Sequence, residues 1–112
     1  MLFRSGKLVY DEDYFIRGKE SGLSLYENYR WLPDLTIPMV QKIIDHCGIT
    51  RDAGILDFGC SRGYVVRALR ELGYNAVGVD VSKWAIDNAD ETVKEFCFHA
   101  DEIGRASCRE RV

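Results

Sequence analysis

Two short stretches hold residues whose types and spacing can do chemistry. The first is Asp57-Phe58-Gly59-Cys60-Ser61-Arg62-Gly63. The second is Gly78-Val79-Asp80, which ends 23 residues after Asp57. Glycine at the carboxyl end of a parallel strand lets the backbone turn tightly and lets a ligand approach the main chain. A helix starting just beyond presents free N–H groups and the positive end of its dipole. A carboxylate closing the next strand reaches the hydroxyls of a ribose and can accept both of their protons. Taken together, these features describe a site for a nucleoside-containing cofactor. The competing readings, less favoured in this context, are that Asp57 caps the following helix, Asp80 caps a strand end and the glycines serve an ordinary turn.

The elements that must hold these residues can be read from the pattern around them. Ile55 to Phe58 is a short apolar run after a polar loop and predicts a buried strand. Tyr64 to Leu72 predicts a helix with Val65, Ala68, Leu69 and Leu72 on one face and Gly73 as its stop. Asn75 to Asp80 predicts a second strand, Ser82 caps a helix running to about Val93, and Glu95 to Ala100 begins a third strand. Before them, Val40, Ile43, Ile44 and Cys47 follow helical spacing. That helix starts near Thr36, with Pro38 in its first turn and Gly48 at its end. Alternating strands and helices imply parallel pairing with right-handed crossovers, hence an α/β, doubly wound sheet with helices on its faces.

The turn chemistry narrows the cofactor. A nicotinamide dinucleotide fingerprint needs glycine at Ser61 and glycine or alanine at Tyr64, where helix and strand pack closely around a pyrophosphate. An acidic residue at Asp57 also repels phosphate and attracts a cation. At these residues the chain resembles the class I S-adenosylmethionine-dependent methyltransferases, a Rossmann-like family whose first motif is an acidic residue followed by G-x-G-x-G. Ile55 to Gly63 is similar to that motif with Ser61 at the middle glycine, Val77 to Ser82 is similar to the second motif, and His99-Ala100-Asp101 to the start of the third. The resemblance spans about residues 38–101.

This resemblance implies S-adenosyl-L-methionine as cofactor. It places Gly59, Ser61 and Gly63 against the methionine portion, Asp57 near the ammonium and sulfonium, and Asp80 on the ribose hydroxyls. Val81 would pack on adenine and Asp101 would accept from the exocyclic amine. It further implies methyl transfer to a small-molecule or sugar acceptor, with Tyr14, Tyr26 and Arg30 of the amino-terminal arm as candidates for closing over the cofactor. No residue qualifies as a general base, because in the family such groups follow a fourth strand. The competing readings are an NAD(P)-dependent oxidoreductase, which shares the acidic strand end, and a non-catalytic cofactor-binding domain. Trp84 is expected in the core rather than beneath adenine.

Three segments follow from this reading. Residues 1–35 form an aromatic-rich arm whose rings need burial but lack a repeating face, residues 36–102 form part of the cofactor-binding domain, and residues 103–112 form a tail that continues no pattern. The tail resembles the conceptual translation of a sequencing adapter and is set aside as non-native. Two strands and the start of a third leave apolar sheet faces uncovered, so the 112-residue chain is expected to be marginally stable or to aggregate.

Composition agrees with a single globular unit, at 46% hydrophobic and 29% charged residues. The net charge of −3, or −5 without residues 103–112, supplies no electropositive footprint for nucleic acid or an anionic membrane. No apolar run is long enough to span a bilayer, and Arg4, Lys7 and Asp11 interrupt any signal-like stretch, so a cytoplasmic protein is expected. Cys47, Cys60, Cys97 and Cys108 form no C-x-x-C pair, so no metal site is expected and the thiols are read as buried.

Overall fold

A computed structural model describes residues 10–22 and 28–101. Two short helices open it, α1 (Glu12–Ile16) and α2 (Gly18–Ser21). Asp11 caps α1 by accepting the Tyr14 N–H at 3.2 Å. Next come α3 (Pro33–Cys47), β1 (Gly54–Phe58), α4 (Tyr64–Glu71), β2 (Asn75–Asp80), α5 (Lys83–Asp87), a single 3₁₀ turn (Lys94–Phe96) and β3 (Cys97–His99). The strands form a parallel sheet in the order β1-β2-β3.

A strand order that advances in one direction with right-handed crossovers places both connections on the same face of the sheet. In the observed register, Ile55 pairs with Ala76, Asp57 with Gly78 and Gly78 with Cys97, so these side chains share that covered face. There Val66, Ala68 and Leu69 of α4 meet Val40 and Ile44 of α3 over Ala76 and Cys97. Among the described residues the opposite face is open along its outer strands, with Leu56 55%, Phe58 81% and Phe98 37% exposed, while Val79 between Phe58 and Phe98 is buried. The expectation of a buried first strand is thereby corrected, whereas the parallel α/β sheet with an uncovered apolar face is as expected. β1 lies at the sheet edge among the described residues, and only its Ile55 and Asp57 side point toward the helices.

Several boundaries also differ from the sequence reading. α3 begins at Pro33 rather than Thr36, because Pro33 suits the first helical position, and Pro38 therefore lies inside the helix. Within α3 only Val40 and Ile44 are buried, whereas Ile43 is 45% exposed and the Cys47 thiol is exposed rather than buried. α5 stops at Asp87 instead of continuing to Val93. Local polar groups there compete with the helix: Asn88 Nδ2 donates to the Trp84 carbonyl, Asp90 N–H donates to the Arg62 carbonyl and Asp90 Oδ1 accepts the Thr92 N–H. The 3₁₀ turn takes the residues expected to start the third strand, which begins at Cys97.

The aromatic arm packs on this body. Phe15 is buried and stacks on Trp84 at 5.7 Å, while Tyr29 and Trp31 lie 4.9 and 5.9 Å from the ring of Tyr64. Arg62 and Arg67 sit over Trp84 and Trp31 at 5.7 and 4.3 Å. Tyr26, Glu102 and the segment 103–112 lie outside the described residues.

Candidate functional site

The site forms at the carboxyl ends of β1 and β2, where two turns meet. Gly59 and Cys60 both donate their N–H to the Val79 carbonyl, at 2.7 and 3.0 Å, which folds the first turn over the end of β2. Asp80 then joins the turns. Its Oδ2 accepts the Ser61 N–H at 2.8 Å and its Oδ1 accepts the Ser82 N–H at 2.7 Å. Each carboxylate oxygen retains a second acceptor direction for a ligand. Ser82 in turn caps α5 by accepting the Ala85 N–H at 3.0 Å, and its hydroxyl donates to the Tyr10 carbonyl, drawing the arm onto the site.

Two adjoining cavities open there. One, of about 110 Å³, is lined by Phe58, Gly59, Val79, Asp80, Val81 and Ala100. The other, of about 270 Å³, lies beneath Tyr10, Tyr14 and Phe15 and shares Gly59, Asp80 and Val81 with the first, adding Ser61. Gly59, Ser61, Asp80 and Val81 therefore line one shared space, and Val81 is 62% exposed. Gly59 has φ +92° and nothing within 4 Å of where a Cβ would stand, so its bare backbone faces open space. Ser61 has φ +52°, a left-handed conformation that shows why glycine suits this position and that the bond to Asp80 helps to hold.

Gly63, Asp57 and Asp101 line neither cavity. A Cβ on Gly63 would stand 2.7 Å from Cys97 Sγ and 3.1 Å from Val93 Cγ2, so this glycine serves close packing between the start of α4 and β3. Asp57, half-buried on the helix-facing side of β1 in register with Gly78, has its carboxyl raised above the usual range by burial and secondarily by the charge of Asp80. Asp101 follows the point where the chain leaves β3 in a helical turn. Its side chain is 77% exposed, 3.8 Å from His99 Nδ1. Trp84 is occupied by Phe15 and Arg62 and also lies outside both cavities.

Tyr10, Phe58 and Ala100 line the site without having been singled out. Phe58 was readable as part of the turn motif. No local signal connects residue 10 with residue 82, because their contact depends on how the arm packs.

A family model described as a methyltransferase domain matches residues 34–108. The match covers all three strands and the crossovers between them, and its end passes the expected junction at Glu102. Among solved structures, the chain is similar to the crystal structure of MccD protein, at 28% identity and a TM-score of 0.47, over 55% of this chain. It spans 30% of the length of that protein. No curated protein matches. With a methyltransferase model covering most of the chain, including both turns that build the site, the chain belongs to the methyltransferase domain family.

Proposed function

We propose that the two cavities hold S-adenosyl-L-methionine and that the whole enzyme transfers its methyl group to a small-molecule acceptor. The observation that carries this reading is Asp80, bonded to both turns and standing between an apolar cavity and a larger one beneath tyrosines. Its free acceptor directions suit the ribose hydroxyls, with Phe58 and Val81 flanking a flat base on one side. On the other side, open backbone at Gly59 and Ser61 suits the methionine portion.

The charge pattern supports the same assignment. The charge of Asp80 adds to burial in raising the Asp57 carboxyl, and a cation seated beside Asp80 offsets that charge. S-Adenosylmethionine carries a sulfonium and an ammonium and supplies an activated methyl group for in-line displacement. This chain's contribution is binding and alignment, which lower the entropic part of the barrier. A nicotinamide dinucleotide is disfavoured because Tyr64 is buried against Tyr29 and Trp31 at the position where that fingerprint needs glycine or alanine.

Calorimetric titration with S-adenosylhomocysteine and, separately, with NAD tests the reading. Saturable binding of S-adenosylhomocysteine alone is expected; binding of NAD alone overturns it. Methyl transfer by the whole protein, assayed against small hydroxyl, amine and sugar acceptors, separates an enzyme from a non-catalytic binding domain.

A further inference from the structure

Cys60 and Cys97 stand together beneath the cofactor turn although 37 residues separate them in sequence. Gly78 on β2 lies between them. Cys97 is its register partner on β3, and a Cβ on Gly78 would meet Cys60 Cβ at 2.5 Å and Cys60 Sγ at 2.7 Å. Cys97 Sγ in turn stands 2.7 Å from where a Cβ on Gly63 would be, and the Cys60 thiol donates to the Ser61 carbonyl at 3.7 Å, so both sulfurs lie under the same turn and the missing Cβ of Gly78 leaves the space between them open. Both residues are buried, at 3% and 5% exposure, and among the described residues no metal-binding group of three or more His, Cys, Asp or Glu forms around them.

We infer that Cys60 and Cys97 form a reversible disulfide when the chain meets a small peroxide, tethering the cofactor turn to β3. Burial limits the oxidant to one about the size of water. The interaction between the two thiols lowers the pKa of Cys97 and, ahead of burial, raises that of Cys60, so Cys97 is the attacking sulfur. Its thiolate attacks one oxygen of hydrogen peroxide, the O–O bond breaks, and a sulfenic acid forms as hydroxide departs and takes up the proton that Cys97 lost. Cys60 sulfur then attacks the sulfenic sulfur, the S–O bond breaks, and the released hydroxide leaves as water with the Cys60 proton. Two thiols thereby lose two electrons and two protons, and one peroxide becomes two waters. Because Cys60 lies between Gly59 and Ser61, which both line the larger cavity, the tether acts directly on the cavity wall.

The test oxidises a Cys108→Ser chain with hydrogen peroxide under native conditions and in urea, followed by non-reducing peptide mapping. The native chain is expected to yield the Cys60–Cys97 link as its main intramolecular product, reversed by dithiothreitol. The unfolded chain should favour the shorter Cys47–Cys60 loop. Cys97→Ser is expected to abolish the native link. Free or singly oxidised Cys60 and Cys97, links through exposed Cys47 only, or the same product pattern in urea as in the native chain overturns the inference.

A second readout compares S-adenosylhomocysteine affinity in the reduced and linked forms, with a severalfold difference expected. This readout alone rests on the cofactor assignment. If the reduced chain binds no S-adenosylhomocysteine, that assignment fails and the peptide map still decides the disulfide.

Discussion

The backbone N–H of Ser61 donates to the Asp80 carboxylate at 2.8 Å, so the residue expected to read the ribose also fixes the shape of the glycine turn. Substitutions at Asp80 must therefore be read for both roles. Asp80→Ala leaves the Ser61 and Ser82 N–H groups without their acceptor and is expected to cost about 1–3 kcal/mol of stability. Asp80→Asn keeps one acceptor oxygen and loses less, but cannot accept from both ribose hydroxyls. Its affinity for S-adenosylhomocysteine should fall about 10- to 100-fold, the worth of a hydrogen bond to a charged group. Unchanged affinity in a folded Asp80→Asn chain removes the ribose role.

Gly59 and Gly63 should separate binding from folding. At Gly59 a methyl group enters open space, so Gly59→Ala carries mainly a backbone penalty of about 1–2 kcal/mol but places the methyl beside both cavities. At Gly63 the same backbone penalty joins a collision with Cys97 Sγ at 2.7 Å, adding about 1–3 kcal/mol of overpacking. Urea unfolding should rank Gly63→Ala as the less stable variant. Calorimetry on folded protein should rank Gly59→Ala as the weaker binder; the opposite order in both measurements contradicts the placement of the two glycines.

Asp57 should make stability depend on pH in an identifiable direction. Because its native pKa is raised, chiefly by burial and then by Asp80, the folded chain binds this proton more tightly than the unfolded chain. Its contribution to stability is present below the ordinary carboxylate value and is lost as pH rises through the raised native value. Asp57→Asn removes that titration. The variant should match the parent at acid pH and become the more stable of the two toward neutrality, while binding the cationic methyl donor more weakly. Equal unfolding midpoints for the two chains across this range count against the buried position of Asp57.

The open sheet face should drive self-association of the 112-residue chain. Leu56 and Phe58 on β1 and Phe98 on β3, the two outer strands, present apolar surface on the same open face, an arrangement that favours association. Leu56→Lys puts a charge on that face, with an expected change in folding stability within about 0.5 kcal/mol because Leu56 is 55% exposed. Sedimentation velocity should show larger species for the parent chain and a shift toward monomer for the variant. A monomeric parent shows the expectation to be wrong.

Local sequence determined the parallel strands and the turns at their carboxyl ends. β2 runs from Asn75 to Asp80 as its pattern predicts, α4 ends where Gly73 stops it, and Gly59, Ser61, Asp80 and Val81 converge because a strand-turn-helix leaves its turn beside the end of the next parallel strand. These are short-range consequences of periodicity and turn chemistry. Tertiary structure decided the rest. It made β1 half exposed, because its crossover and that of β2 cover one face only. It ended α5 early through Asp90 and Asn88, and it packed Gly63 closely by bringing Cys97 beside it. It also brought Tyr10 to Ser82, and Cys60 and Cys97 to either side of Gly78. Such pairs are far apart in sequence and carry no repeating signal, so their meeting depends on how the arm and β3 pack against the same two turns.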